Sequence, residues 1–180
     1  MRILLDTCVL IPYPIRQMLL DLAENDLFFP LWSDKIFEEW EFVVSKNSKK
    51  LIESTKIEIL SLKSKWKSSL VPRDINLEKL VSLPDKNDRH VLASAIIGRA
   101  HFLLTNNLKD FPSRALARHN VIPRNVDSLF FELFCEFPEV FEPLIQKVFE
   151  LSVEKDRKFY SKKTFLKRHG LYRLAKIISP

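Results

Sequence analysis

Four acidic residues, Asp6, Glu39, Asp88 and Asp110, fall at the carboxyl end of the first strand, on the helix after the second, at a helix start and in the loop after the following strand. Asp6 ends the apolar run of RILLDTCVL, at the carboxyl end of a strand that reads as buried. A charge there is costly unless a hydrogen-bonding or cationic group meets it. In open α/β sheets, ligands collect at such strand ends. Carboxylates folded into one place repel one another, and hard divalent cations, Mg²⁺ or Mn²⁺, make that tolerable. The chemistry to expect of such a group is metal-assisted hydrolysis.

The other three acids each have an ordinary reading beside the functional one. In SDKIFEEWEFVV, Glu39 shares a helix face with Ile36 and Val43, while Glu38 and Glu41 group with Asp34 on the polar face. An acid on the inward face breaks the local rule, and such breaks gather at functional sites. A salt-bridged or rim glutamate is the plain alternative. In LPDKNDRHVLASAI, Asp85 reads as the helix N-cap, with Asp88 at the third helical position on the face continued by Val91, Leu92 and Ala95. Capping and the helix macrodipole alone could account for both. Asn107 and Asp110 in TNNLKDFP fall just past the strand HFLLT, where ligand-binding loops sit, although Asp110 before Phe-Pro could be a turn residue.

The elements that must bring these residues together alternate. Strands read over Ile3–Asp6, Leu27–Trp32, His101–Thr105 and Val121–Ile122. Helices read over Pro14–Asn25, from the N-cap Ser33 to Ser45, across 49–68, over Asp85–Arg99 and over Val126–Phe137. Val71–Pro84 reads as an irregular connection. Apolar, non-alternating strands between helices predict an α/β fold with a central parallel sheet covered on both faces. After Pro138 the pattern is helical, with a break at His169-Gly170.

Composition narrows the function classes. Only Gly98 and Gly170 occur, so neither a dinucleotide-binding GxGxxG loop nor a P-loop can be built. Cys8 and Cys135 have no metal or redox spacing, and no histidine has zinc-motif spacing. His90, His101, His119 and His169 therefore read as structural or surface residues. The apolar run at the N-terminus is short and interrupted by Asp6, unlike a signal peptide. No stretch approaches a spanning helix, and a cytoplasmic location is expected. The net charge is +6, and residues 151–180 hold nine Lys or Arg against Glu154 and Asp156. Lys46 to Lys67 holds seven lysines against Glu53 and Glu58. Such patches suit a polyanion partner, or are simply solvated helix faces.

The order hhhDTxVL, SxxxxxE, PDxxDRHVLAxAI and TNNLKDFP resembles the PIN-domain family, especially bacterial VapC-like toxins of toxin–antitoxin pairs, over about residues 2–137. The resemblance implies a three-layer α/β/α domain over 1–137, with 138–180 as a basic helical extension. It implies acids gathered around Mg²⁺ or Mn²⁺ that hydrolyse phosphodiester bonds of single-stranded RNA. Carried over by position, the acids are Asp6, Glu39 and Asp88, with Asp110 as the fourth. Some members place an aspartate where this chain has Asn107, so either Asp110 fills that role or Asn107 orients a water. Thr105 joins the same network by resemblance. The resemblance also implies a small antitoxin partner and, often, a homodimer. Two rivals stand beside it. A haloacid-dehalogenase-type phosphatase shares the strand-Asp-Thr start but needs an aspartate where this chain has Cys8. A catalytically inactive PIN-like module would bind RNA or protein without metal.

Overall fold

The computed structural model describes residues 1–155 and 161–178, without the side chains of Lys49 and Lys155. Arg157 and Lys158 of the basic tail lie outside the described residues. In chain order the elements are β1 (Arg2–Leu5), α1 (Thr7–Leu10), α2 (Tyr13–Glu24), β2 (Phe29–Ser33), α3 (Asp34–Asn47), α4 (Ile52–Lys65), β3 (Leu70–Val71), α5 (Ile75–Leu80), α6 (Arg89–Ile97), β4 (Phe102–Leu104), α7 (Ser113–Ala117), β5 (Ile122–Arg124), α8 (Val126–Glu136), α9 (Pro138–Lys155), α10 (Lys162–Arg168) and α11 (Leu174–Ile177).

The five strands pair in parallel in the order β3-β2-β1-β4-β5. Parallel strands need both faces covered, and Ile3, Leu4 and Leu5 of β1, Leu31 and Trp32 of β2 and Leu103 and Leu104 of β4 are fully buried. The architecture is three-layer α/β/α: the parallel sheet covered on both faces is what the alternating pattern predicts, and the three layers are what the resemblance implies. From β1 the chain builds outward through β2 and β3, then returns to the other side of β1 for β4 and β5. The strand order therefore reverses between β1 and β4, and the crevice for ligands lies beyond their carboxyl ends. Asp6 directly follows β1 and Thr105 directly follows β4.

The described chain forms two compact units. One comprises Met1–Ile11 and Phe29–Arg124, and holds the whole sheet. The other comprises Pro12–Phe28 and the residues from Asn125 onward. Within the second unit, α2 packs on α9, and Phe130 and Phe134 stack edge-on against Phe141.

Three local expectations change. The segment Val71–Pro84 is not irregular throughout: it completes β3 and forms α5, whose N-cap Asp74 accepts from the backbone N–H groups of Asn76 and Leu77 at 2.9 and 3.0 Å. The turn α7 (Ser113–Ala117) went unforeseen. The helix expected from Asp85 begins at Arg89, because Asp85 closes a local turn by accepting from the backbone N–H of Asn87 at 2.8 Å. Asp88 is consequently the N-cap of α6 and not its third residue. At the other end of α6, a Cβ on Gly98 would come within 2.8 Å of the buried Leu31 side chain. The missing side chain lets the helix end close onto β2.

Candidate active site

All the acids singled out belong to the sheet-bearing unit. Asp6 is 8% exposed, and its Oδ2 accepts from the Thr105 hydroxyl at 2.7 Å and the Cys8 thiol at 3.1 Å. Although Asp6 stands at the N-cap position of α1, its side chain caps nothing there. Burial is the largest influence on its pKa and raises it; the Thr105, Cys8 and Thr7 hydrogen bonds work the other way, and the Glu39 charge adds to the rise. The net effect is upward. An Asp placed for stability would be expected to shift downward.

Glu39 lies on α3 and is tied at both oxygens. The Thr7 hydroxyl donates to Oε2 at 2.8 Å, and His90 Nε2 lies 2.8 Å from Oε1. Burial pushes the Glu39 pKa up, but the His90 hydrogen bond and charge, followed by Thr7, outweigh it and leave the carboxyl below its usual range. Glu39 is therefore an ionised, oriented carboxylate. The expected inward face of α3 explains its place: Ile36 and Trp40 beside it are buried, whereas Glu38 is exposed.

Asp88 is the least satisfied of the group. As N-cap of α6 it makes no side-chain capping bond, so capping does not account for it. Its Oδ2 is buried with no hydrogen-bond partner. Its pKa is pushed up to about 6, first by burial and then by the charges of Asp6, Asp85, Asp110 and Glu39. Asp88 thus feels all three of the other acids carried over from the motifs. Asp110 and Asn107 close the loop after β4: Asn107 Nδ2 donates to Asp110 Oδ2, and the Asn107 backbone N–H donates to the Thr105 hydroxyl at 3.0 Å. A continuous chain of hydrogen bonds runs from Asp110 through Asn107 and Thr105 to Asp6.

Among the described residues, no group of three or more His, Cys, Asp or Glu side chains lies close enough to hold a metal ion. The donor set nevertheless fits a hard divalent cation in kind. It consists of carboxylate oxygens, among the described residues no Lys or Arg pairs with Asp6 or Asp88, and one buried carboxylate oxygen lacks any donor.

Two residues of the site escaped the sequence reading. His90 is buried and bonded to Glu39, where it was expected to be structural or on the surface. Its place two residues after Asp88, in the first turn of α6, was the available signal. Thr7 was legible only as part of the Asp-Thr pair. Cys8, also in contact with Asp6, has its thiol pKa pushed up to about 12 by burial and then by the Asp6 charge. Such a thiol is too weak an acid to give up its proton at neutral pH, so it cannot stand in for the aspartate general acid that the phosphatase chemistry requires at that position.

A PIN domain family profile matches residues 2–109, and the chain belongs to the PIN domain family, a family of nucleases. Among solved structures, VapBC2 from Rickettsia felis, bound to a DNA fragment from its promoter, is similar at 25% identity over 69% of this chain and 98% of that one. The TM-score is 0.47. The comparison with curated proteins gives no match. Among the described residues, no helix is long and apolar enough to cross a membrane.

Proposed function

We propose that this chain is a divalent-metal-dependent endoribonuclease acting on single-stranded RNA, and the toxin of a toxin–antitoxin pair. The observation that carries the nuclease reading is Asp88: a buried, partnerless carboxylate oxygen, with its pKa raised to about 6 among four other acids. Structural acids find donors. This one is left for a ligand.

Asp6, Asp88 and Asp110 would hold Mg²⁺ or Mn²⁺, with Glu39 completing the set directly or through water. When bound, such an ion lowers the pKa of water and screens the charge of a phosphodiester. The protein's own part is positioning. Thr105 and Cys8 fix the Asp6 carboxyl, while Thr7 and His90 hold Glu39 ionised and aimed. Asn107 fixes Asp110 and, through Thr105, ties the loop after β4 to Asp6. His90 is a positioning residue that acts through Glu39.

The RNA substrate, the antitoxin, a homodimer and a cytoplasmic location rest on the family resemblance. The basic stretches from Lys46 to Lys67 and over 151–180 add support for a polyanion. By resemblance we place the nuclease domain at 1–137 and its extension at 138–180, whereas the compact units divide between Arg124 and Asn125 and set Pro12–Phe28 with the C-terminal unit. A second reading, an inactive PIN-like module, draws on the lack of three converging metal-ligating side chains among the described residues. Purified protein incubated with unstructured RNA and Mn²⁺ decides between them. Cleavage that stops with EDTA and with Asp6→Asn supports the nuclease; equal cleavage by Asp6→Asn overturns the site, and metal-independent retention without cleavage favours the module.

A further inference from the structure

Next to the acidic group, and sharing His90 with it, lies a cavity of about 320 Å³ of opposite charge. Its walls come from α3, the segment around α5 and the turn leading into α6. Lys35, Arg73, Lys79, Lys86 and Arg89 line it, and Glu78 is the one acid among its lining residues. That acid is already committed: Glu78 takes both oxygens to Arg73, at 2.7 and 3.0 Å. Lys35 is shared with Glu38 at 3.1 Å. Lys79, Lys86 and Arg89 have no acid partner among the described residues, and the Arg89 Nε is buried without any hydrogen-bond acceptor. A buried guanidinium donor left open costs stability unless something accepts from it. The N-terminus of α6 adds its partial positive charge at the same place.

Resting on the nuclease reading, we infer that this cavity is a phosphate subsite, which grips one backbone phosphate of the RNA strand beside the linkage that is cut. The chemistry favours a phosphodiester oxyanion. It offers a charge matched by three uncommitted cations, Lys79, Lys86 and Arg89. The volume accommodates a sugar-phosphate unit and not a folded duplex. Placement supplies the purpose. His90 bonds Glu39 with one nitrogen and forms the cavity wall, so a phosphate seated here registers the neighbouring linkage against the acids. Contacts of this kind position a strand and carry no base information.

Lys79 and Lys86 are exposed, so K79A/K86A leaves the core intact. Binding of a short unstructured RNA is read by fluorescence anisotropy in the Asp6→Asn background, where no cleavage is needed. The double substitution should weaken binding about tenfold, and flatten the dependence of log K on log salt by about 0.7, the contribution of one single-strand phosphate. Oligonucleotides carrying one neutral methylphosphonate linkage, moved along the strand, should show one position that weakens the intact subsite and leaves K79A/K86A indifferent. Unchanged affinity and salt slope overturn the subsite, even where the wild type cleaves RNA. Weakened binding of a co-expressed protein partner with RNA affinity unchanged also overturns it, and gives the cavity to that partner. Failure of the nuclease reading shows separately, as absence of Mn²⁺-dependent cleavage by the wild type.

Discussion

Asp88→Asn should make the metal-free protein more stable while it removes nuclease activity. The magnitude follows from the crowding of charge. The pKa of Asp88 rises from 3.8 to about 6. At about 1.36 kcal/mol per unit this sets a ceiling near 3 kcal/mol for the cost of keeping the group ionised. The side chain is only part-buried, and solvent screening reduces that to about 1 kcal/mol. Asparagine has the same shape and no charge, and no side-chain capping bond is lost. For a chain of this size, about 1 kcal/mol corresponds to a rise of roughly 2–4 °C in Tm. The sign with pH is fixed by the direction of the shift. A carboxyl whose folded pKa is raised is protonated in both states below 3.8, so its ionisation costs nothing there. The penalty grows as pH climbs towards 6 and is complete above it. Calorimetric melting in EDTA should therefore show the largest gap between variant and wild type at pH 7.5, and almost none near pH 4. Added Mn²⁺ should raise the wild-type Tm more than that of the variant, since a ligand stabilises the state that binds it. A variant that melts at or below the wild-type temperature at pH 7.5 would mean that Asp88 is not held against its neighbours' charge, and the central electrostatic reasoning would fail.

Three further outcomes are expected. His90→Gln should lower activity on the order of 10–100-fold, and move the acidic limb of the pH–rate profile to higher pH, because Glu39 loses the partner that holds its pKa down. A purely structural role for His90 would lower activity without moving that limb. Titration calorimetry with Mn²⁺ should show affinity falling as pH drops below about 6, where protons compete for Asp88; a flat profile from pH 7 to 5 would exclude Asp88 as a ligand. Alkylation by iodoacetamide at pH 7.5, followed by mass spectrometry, should label the exposed Cys135 and spare Cys8, whose thiol pKa stands at about 12. Prior labelling of Cys8 would contradict the burial assigned beside Asp6.

The sheet was legible because its strands are short apolar runs between helical periods. A buried parallel strand and its flanking helix each satisfy one local rule, so β1, β2, β4 and the helices α2, α3, α4 and α8 lie close to where periodicity puts them. The segment from Val71 to Pro84 resisted because its order is made by other means. β3 is two residues long and is held by pairing with Trp32 and Ser33, while α5 buries none of its six residues. Neither leaves a periodic trace. The start of α6 was misplaced for a chemical reason: aspartate serves equally as N-cap and as the head of a tight turn, and Asp85 and Asp88 lie three residues apart.

The position of that helix start bears directly on the site. With Asp85 as the cap, Asp88 has a conventional reason to be charged in a helix's first turn, and the sequence cannot separate that reason from a functional one. In the fold the turn takes Asp85, Asp88 makes no capping bond, and one of its oxygens is buried with nothing to accept from, under the charges of four other acids. The same shift puts His90 in the first turn of α6, where its ring reaches Glu39 on α3, a pairing across 51 residues that no local pattern encodes. Sequence spacing marks Asp6, which ends a strand, and Glu39, which interrupts an apolar helix face, whereas Asp88 and Asp110 stand out only through the family motifs. It could not identify the partners Thr7 and His90, ordinary residues in ordinary places until the parallel order of β2, β1 and β4 brings their neighbourhoods together, and Thr105 enters only through the family resemblance. The division is physical. Misplaced charge is visible along the chain, while the hydrogen bonds that orient it exist only across the crevice where the strand order turns.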